Sequence, residues 1–156
     1  MDVNDPEWLS RASDYTKLMY AHWRSRCRGN ALPRRADIDP IDLPPRLLPC
    51  ITIVGVVPDE RQYIYRLVGT RDVDVRGSDP TGKSVVERYF GSSLEEALRF
   101  YDTVVATRAP AFNPTPYVSA DGRFINEENL FLPVSEDGET VNQIMVFSTT
   151  SPSGAA

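Results

Sequence analysis

Apolar residues near the start of the chain recur at helical spacing. Trp8, Ala12, Tyr15, Met19, His22 and Trp23 gather on one face, and Ser10, Asp14, Lys17, Ala21 and Arg24 on the other, the pattern of an amphipathic helix. Asp5-Pro6-Glu7 supplies a start, because Asp can accept orphan amides, Pro fits the first turn and Glu suits the positive end of the dipole. Gly29 supplies a stop, so residues 1–30 are expected to carry an N-terminal amphipathic helix. Its aromatic stripe has two possible uses: packing on the chain's own core, or a dimer contact made by Trp8, Ala12, Tyr15, Met19 and Trp23.

Between Leu32 and Cys50 the chain places Pro33, Pro40, Pro44, Pro45 and Pro49. Each removes an amide donor, so this stretch is a connector with at most single helical turns. Ile51 to Val57 is a β-branched run, Pro58-Asp59-Glu60 a turn, and Gln62 to Val68 a second strand, which together predict an antiparallel hairpin. Thr70 to Phe90 is broken and poorly periodic, as short helices and turns are. Ser92 and Ser93 precede Glu95 and Glu96 at capping-box distance, and Leu94, Ala97, Leu98, Tyr101, Val104 and Val105 follow at helical spacing, predicting the main helix. Beyond it, Tyr117 to Ser119, Phe124 to Leu132 and Val141 to Thr149, separated by turns at Asp121-Gly122 and Asp137-Gly138, predict a three-stranded meander. Residues 31–150 therefore read as one α+β domain, and 151–156 as a disordered tail.

Composition narrows the function. The 156 residues carry a net charge of −5, so the summed field disfavours a nucleic-acid partner. No run approaches the apolar length of a membrane span, and the acidic N-terminus is unlike a secretion signal, so a cytoplasmic protein with no membrane contact is expected. Cys27, Cys50 and the single His22 do not make a metal-ligand set, and no metal is expected.

Gly77-Ser78-Asp79-Pro80-Thr81-Gly82-Lys83-Ser84 matches the phosphate-loop pattern letter for letter. A phosphate loop joins a buried parallel strand to a helix, whereas the preceding Arg71 to Arg76 is charged at alternate positions and too polar for such a strand. Asp79 would also set a carboxylate among the phosphates. A Gly-Pro turn is the reading adopted, with a nucleotide hydrolase as the enzymatic rival. Glu127 and Glu128, adjacent on a strand, point to opposite faces and cannot form one acid–base pair; they are read as solvated or cross-strand partners. No Gly-x-Ser-x-Gly elbow is present and His22 stands alone, so no catalytic residues are assigned.

Arg35-Ala36-Asp37-Ile38-Asp39-Pro40 with Leu47-Leu48-Pro49, Tyr65 to Thr70, and the turn from Leu132 to Gly138 resemble a bacterial group of small stand-alone PAS-like proteins over roughly Leu32 to Ser148. The resemblance implies a five-stranded antiparallel sheet with helices on one face, here with an extra N-terminal helix. Photochemical flavin domains of that fold carry a reactive Cys in the helical middle, and none lies between Thr52 and Ala156. Haem-binding members place an axial His on the long helix, and Ser92 to Arg108 has none. Neither cofactor is expected.

What the resemblance then implies is a lining. Tyr65, Leu67, Phe90, Phe100, Tyr101, Val104, Met145 and Phe147 lie on elements that enclose the interior of this fold. They either fill the core or surround a small, largely apolar ligand oriented by Arg66 or a Tyr hydroxyl; Arg66 alternates with Tyr65 and Leu67, which leaves a solvent-facing Arg66 as the alternative. The expected function is a non-catalytic sensor or interaction module that works as a homodimer through contacts with a separate signalling protein. A ligand-free scaffold is the alternative.

Overall fold

The computed structural model describes residues 5–150, so the tail read as disordered lies outside them. The strands are β1 (Ile51–Val56), β2 (Tyr63–Val68), β3 (Ala111–Pro114), β4 (Tyr117–Val118), β5 (Phe124–Ile125), β6 (Glu127–Val134) and β7 (Gln143–Thr150). Five of them form an antiparallel sheet in the order β2-β1-β7-β6-β3, while β4 and β5 pair only with each other. The β-branched run of β1 is buried almost throughout, as are β6 and the first half of β7. Strands buried on both faces need a cover on each.

The inner face is covered by α2 (Thr70–Arg76), α3 (Val85–Arg88) and α4 (Leu94–Thr107). Helix α4 starts where the serine caps predict, with the Ser93 hydroxyl accepting from the Glu96 amide at 3.1 Å. Its Phe100 stacks on Phe131 of β6 with ring centroids 5.3 Å apart, and Tyr101 meets the same ring edge-on. The Asp137-Gly138 turn between β6 and β7 is organised by one carboxylate. Amides of Thr140 and Glu139 donate to Asp137 Oδ1 at 2.8 and 2.9 Å, and these bonds hold its pKa down at about 2.

The outer face is covered by the chain's own first 50 residues. Helix α1 (Asp14–Arg26) lies across β6 and β7, and the proline-rich connector buries Ile38, Leu43 and Leu47, with Ile38 and Leu43 beside Ile51 of β1, Leu67 of β2 and Met145 of β7. The anchor of α1 is Glu128, fully buried on β6. Its Oε1 accepts from the Ser13 amide at 2.8 Å and the Thr16 hydroxyl at 2.7 Å, while Oε2 is buried with no partner. At the other end the Trp23 indole donates to the Pro133 carbonyl at 2.8 Å.

Three expectations are corrected. The helix does not begin at Asp5-Pro6-Glu7: residues Glu7–Arg11 make a 3₁₀ turn, and α1 begins only after Ser13, whose side chain accepts from Thr16. The third sheet strand is β3, not Tyr117 to Ser119. Pro114 and Pro116 have no amide to donate, so this segment can serve only as an edge and ends early; Tyr117–Val118 pairs with Phe124–Ile125 in a separate hairpin. The strand expected from Phe124 to Leu132 is accordingly divided at Asn126, and only Glu127 onward joins the sheet. Among the described residues no helix is long and apolar enough to cross a membrane.

Two substitutions test this layering. Thr16→Val removes one of the two donors to the buried Glu128 carboxylate and should cost about 1 to 3 kcal/mol in urea denaturation. At Gly69 an added Cβ would lie 2.2 Å from the Pro49 carbonyl oxygen, a backbone atom that cannot swing aside. Gly69→Ala should lower the urea midpoint, by about 1 to 3 kcal/mol in stability.

Candidate functional site

Between the inner sheet face, α2 and the start of α4, the packing leaves a cavity of about 70 Å³. The sheet contributes Thr52, Asn129, Phe131, Val146 and Ser148 to its floor, α2 contributes Asp72 and Arg76, and α4 contributes Glu96, Ala97 and Tyr101. The loop from Tyr89 to Ser93 forms the mouth, and Asn113, Thr115 and Tyr117 close the side next to β3. That volume suits a molecule of a few heavy atoms, well below the ~300 Å³ at which drug-sized ligand sites begin.

Two ion pairs build the wall. Arg76 and Asp72, one helical turn apart on α2, meet at 2.9 Å. Arg76 also donates to the Tyr65 hydroxyl at 3.0 Å and to the Arg88 carbonyl at 2.8 Å, and its guanidinium lies 4.6 Å over the Tyr65 ring. Burial opposes its charge, and Asp72 and Tyr65 outweigh that opposition, so its pKa is raised. The second pair joins Arg71 to Glu127 at 2.7 Å, with the Tyr117 hydroxyl 3.3 Å from the same carboxylate oxygen. Burial outweighs the attraction of Arg71 and holds the Glu127 carboxyl above its ordinary range. Tyr101 is pushed well above its usual range, chiefly by burial.

The residues expected to line a ligand are divided by the sheet. Tyr65, Phe90 and Tyr101 do line the cavity. Val104 is fully buried in the core and Phe100 packs against that core. Met145 and Phe147 lie on the outer face, because it is their neighbours Val146 and Ser148 that reach the cavity. Arg66 and Leu67 are exposed. The β1–β2 register shifts between Ile53 and Val54, so β2 carries one extra residue and the alternation from Tyr65 fails at that point. Leu67 and Met145 instead border a separate apolar groove of about 210 Å³ on the outer face with Ile38, Leu43 and Leu48.

The first-helix residues also have assigned places. Ala12, Met19 and Trp23 are buried inside the molecule, Trp8 stacks on Phe112 at 5.1 Å, and Tyr15 lies under the Arg46 guanidinium at 4.9 Å. Among the described residues no group of three His, Cys, Asp or Glu side chains is placed to hold a metal ion.

The phosphate-loop look-alike follows a helix, not a strand: α2 ends at Gly77 with φ 79°. Its amides are engaged internally. Gly82 donates to the Tyr65 carbonyl at 2.7 Å, Lys83 to Pro80 at 3.0 Å, and Thr81 to the Asp79 carboxylate at 3.0 Å. Ser84 caps the single turn of α3.

Sequence reasoning missed Arg76, Asp72, Glu96, Tyr89 and Glu127 as cavity residues. The spacing of Asp72 and Arg76 was a usable signal, since it is the helical salt-bridge spacing. Glu127 and Glu128 do point to opposite faces, but both are buried rather than solvated, held by partners distant in sequence.

A family model described as a PAS domain matches residues 11–147. Among solved structures, the light-state blue-light photoreceptor Aureochrome1 LOV superposes with a TM-score of 0.53 at 5% identity, covering 70% of this chain and 87% of that one. A light-oxygen-voltage domain described with a flavin analogue gives 0.51 at 10% identity, covering 67% and 79%. A sensory box sensor histidine kinase from Vibrio cholerae gives 0.50 at 20% identity, covering 64% and 78%. At these identities the likeness is one of fold. No curated protein matches the chain.

Arg71→Met tests the wall. It leaves Glu127 buried without its cation and should cost about 3 kcal/mol at pH 7. A carboxyl whose folded-state pKa lies above its unfolded value favours the folded state at low pH and loses that contribution as pH rises through the folded value. The deficit of Arg71→Met relative to the parent chain should therefore shrink as pH is lowered through the carboxyl range, as read by urea denaturation at several pH values.

Proposed function

Because the chain belongs to the PAS domain family, we propose that it is a non-catalytic sensory module in signalling whose input site is the cavity between α2, α4 and the inner sheet face. The observation that carries this reading is the cavity's wall. A small domain that merely fills its interior does so with close-packed side chains, whereas here a partly open concavity is bordered by Asp72, Arg76, Glu96, Glu127, two asparagines and several hydroxyls. Convergent polar groups on a preformed concavity are the mark of a ligand site. The polarity favours a small polar ligand over the apolar one expected from sequence, and the modest volume argues against flavin or haem.

Occupancy would act on α2 and α4, the elements the cavity separates from the sheet. A ligand changes the balance of states only by binding one arrangement better than another. Output by contact with a separate cytoplasmic protein is supported by the outer-face groove, beside which Leu48 and Leu67 remain exposed. A homodimer built through the first helix would have to use what Trp8 and Tyr15 leave accessible, since Ala12, Met19 and Trp23 are engaged within the fold.

The experiment is a thermal-shift screen of the chain against small polar metabolites, paired with Ser148→Leu, which places an aliphatic side chain in the cavity floor. The expected outcome is a rise in Tm of about 2 °C or more for at least one compound with the parent chain and none with the variant. No shift with any compound, together with a native mass equal to that of the bare polypeptide from its own cells, would replace the sensor with a ligand-free scaffold.

A further inference from the structure

We propose that the cavity takes a small organic cation, a protonated or methylated amine of a few heavy atoms, set among the aromatic rings of the lining and neutralised by Glu96. This rests on the reading of the cavity as the input site, and it follows from the cavity's charge balance. Arg76 is paired with Asp72 at 2.9 Å and Glu127 with Arg71 at 2.7 Å, so both pairs are neutral within the wall. Glu96, partly buried in the first turn of α4, is the remaining charged residue of the lining. Among the described residues its carboxylate has no ion pair and no hydrogen bond; only its backbone amide is engaged, by Ser93. The cavity is therefore bordered by one carboxylate with no side-chain counter-ion, offset only in part by the positive end of α4, and this charge favours a monocation over an anion.

Arg76 offers little to an anion. Its Nε, Nη1 and Nη2 donate to Asp72, the Arg88 carbonyl and the Tyr65 hydroxyl, and its flat face already lies on the Tyr65 ring.

Much of the remaining border is aromatic. Tyr89, Phe90, Tyr101, Tyr117 and Phe131 surround the same space, with Phe90 edge-on to Tyr117 at 5.9 Å. Ring faces carry partial negative charge, and cations desolvated against them gain most where water is excluded. Burial raises the pKa of Tyr89, Tyr101 and Tyr117, so these rings stay neutral through the physiological range and add no second charge.

The test is isothermal titration calorimetry of the full chain with methylammonium chloride, trimethylammonium chloride, sodium acetate and glycerol. The expected result is saturable binding of one or both ammonium ions, none of acetate, and at least tenfold weaker ammonium binding by Glu96→Gln, whose lost charge at the helix start should lower Tm by only about 1 to 4 °C. Ammonium binding that survives Glu96→Gln at full strength overturns the assignment. Binding of acetate or glycerol in place of the ammonium ions overturns the cation but leaves the cavity as the input site. Binding of none of the four also overturns the cation, and the metabolite screen with Ser148→Leu then decides the cavity separately.

Discussion

The architecture follows from a sheet that cannot face water on either side. β1 and β6 are buried at nearly every position and β7 from Ile144 to Phe147, so each face must be sealed, and the two seals come from different parts of the chain. The helical insertion between β2 and β3 closes one, and the segment that precedes β1 closes the other. This explains why a stretch with so many prolines is not a slack connector: it presses Ile38, Leu43 and Leu47 onto the sheet. It also explains why an amphipathic first helix is found docked. Its apolar stripe and the outer face satisfy each other, and Glu128 fixes where the helix begins.

Much of the framework was legible in the chain. β-branched runs and two Asp-Gly turns gave most of the strands, and Ser93 with Glu96 placed the start of α4. Local patterns misled where a competing local preference was stronger. Asp5-Pro6-Glu7 looks like a better helix start than Ser13, yet Ser13 has a buried carboxylate waiting for its amide, a partner 115 residues away that no window could include. Pro114 and Pro116 moved the edge strand upstream of the β-rich Tyr117 and Val118.

The site was less legible, for two physical reasons. One extra residue in β2 breaks the alternation that places Leu67 inward by analogy with Tyr65, and bulges leave little trace in sequence. Charged residues are normally assigned to the surface, and Arg71, Asp72, Arg76 and Glu127 are exceptions because each supplies another's counter-charge. Such a wall is polar without leaving its charges unpaired, since the pairs satisfy one another. Glu96 departs from this pattern, since among the described residues no side chain pairs with its carboxylate.

Glu127 and Glu128 are consecutive on β6, one joined to Arg71 on the inner side and the other to Ser13 and Thr16 on the outer. Their assignments depend only on odd and even count along the strand. Gain or loss of a single residue inside β6, between Glu128 and the stretch from Leu130 to Val134 that stays paired with β7, would turn the helix anchor toward the guanidinium side and the guanidinium's partner toward the helix side. The start of β6 is therefore a place where the gene accommodates an in-frame codon insertion or deletion poorly, whereas the surface loops on either side of the strand absorb length variation with ease.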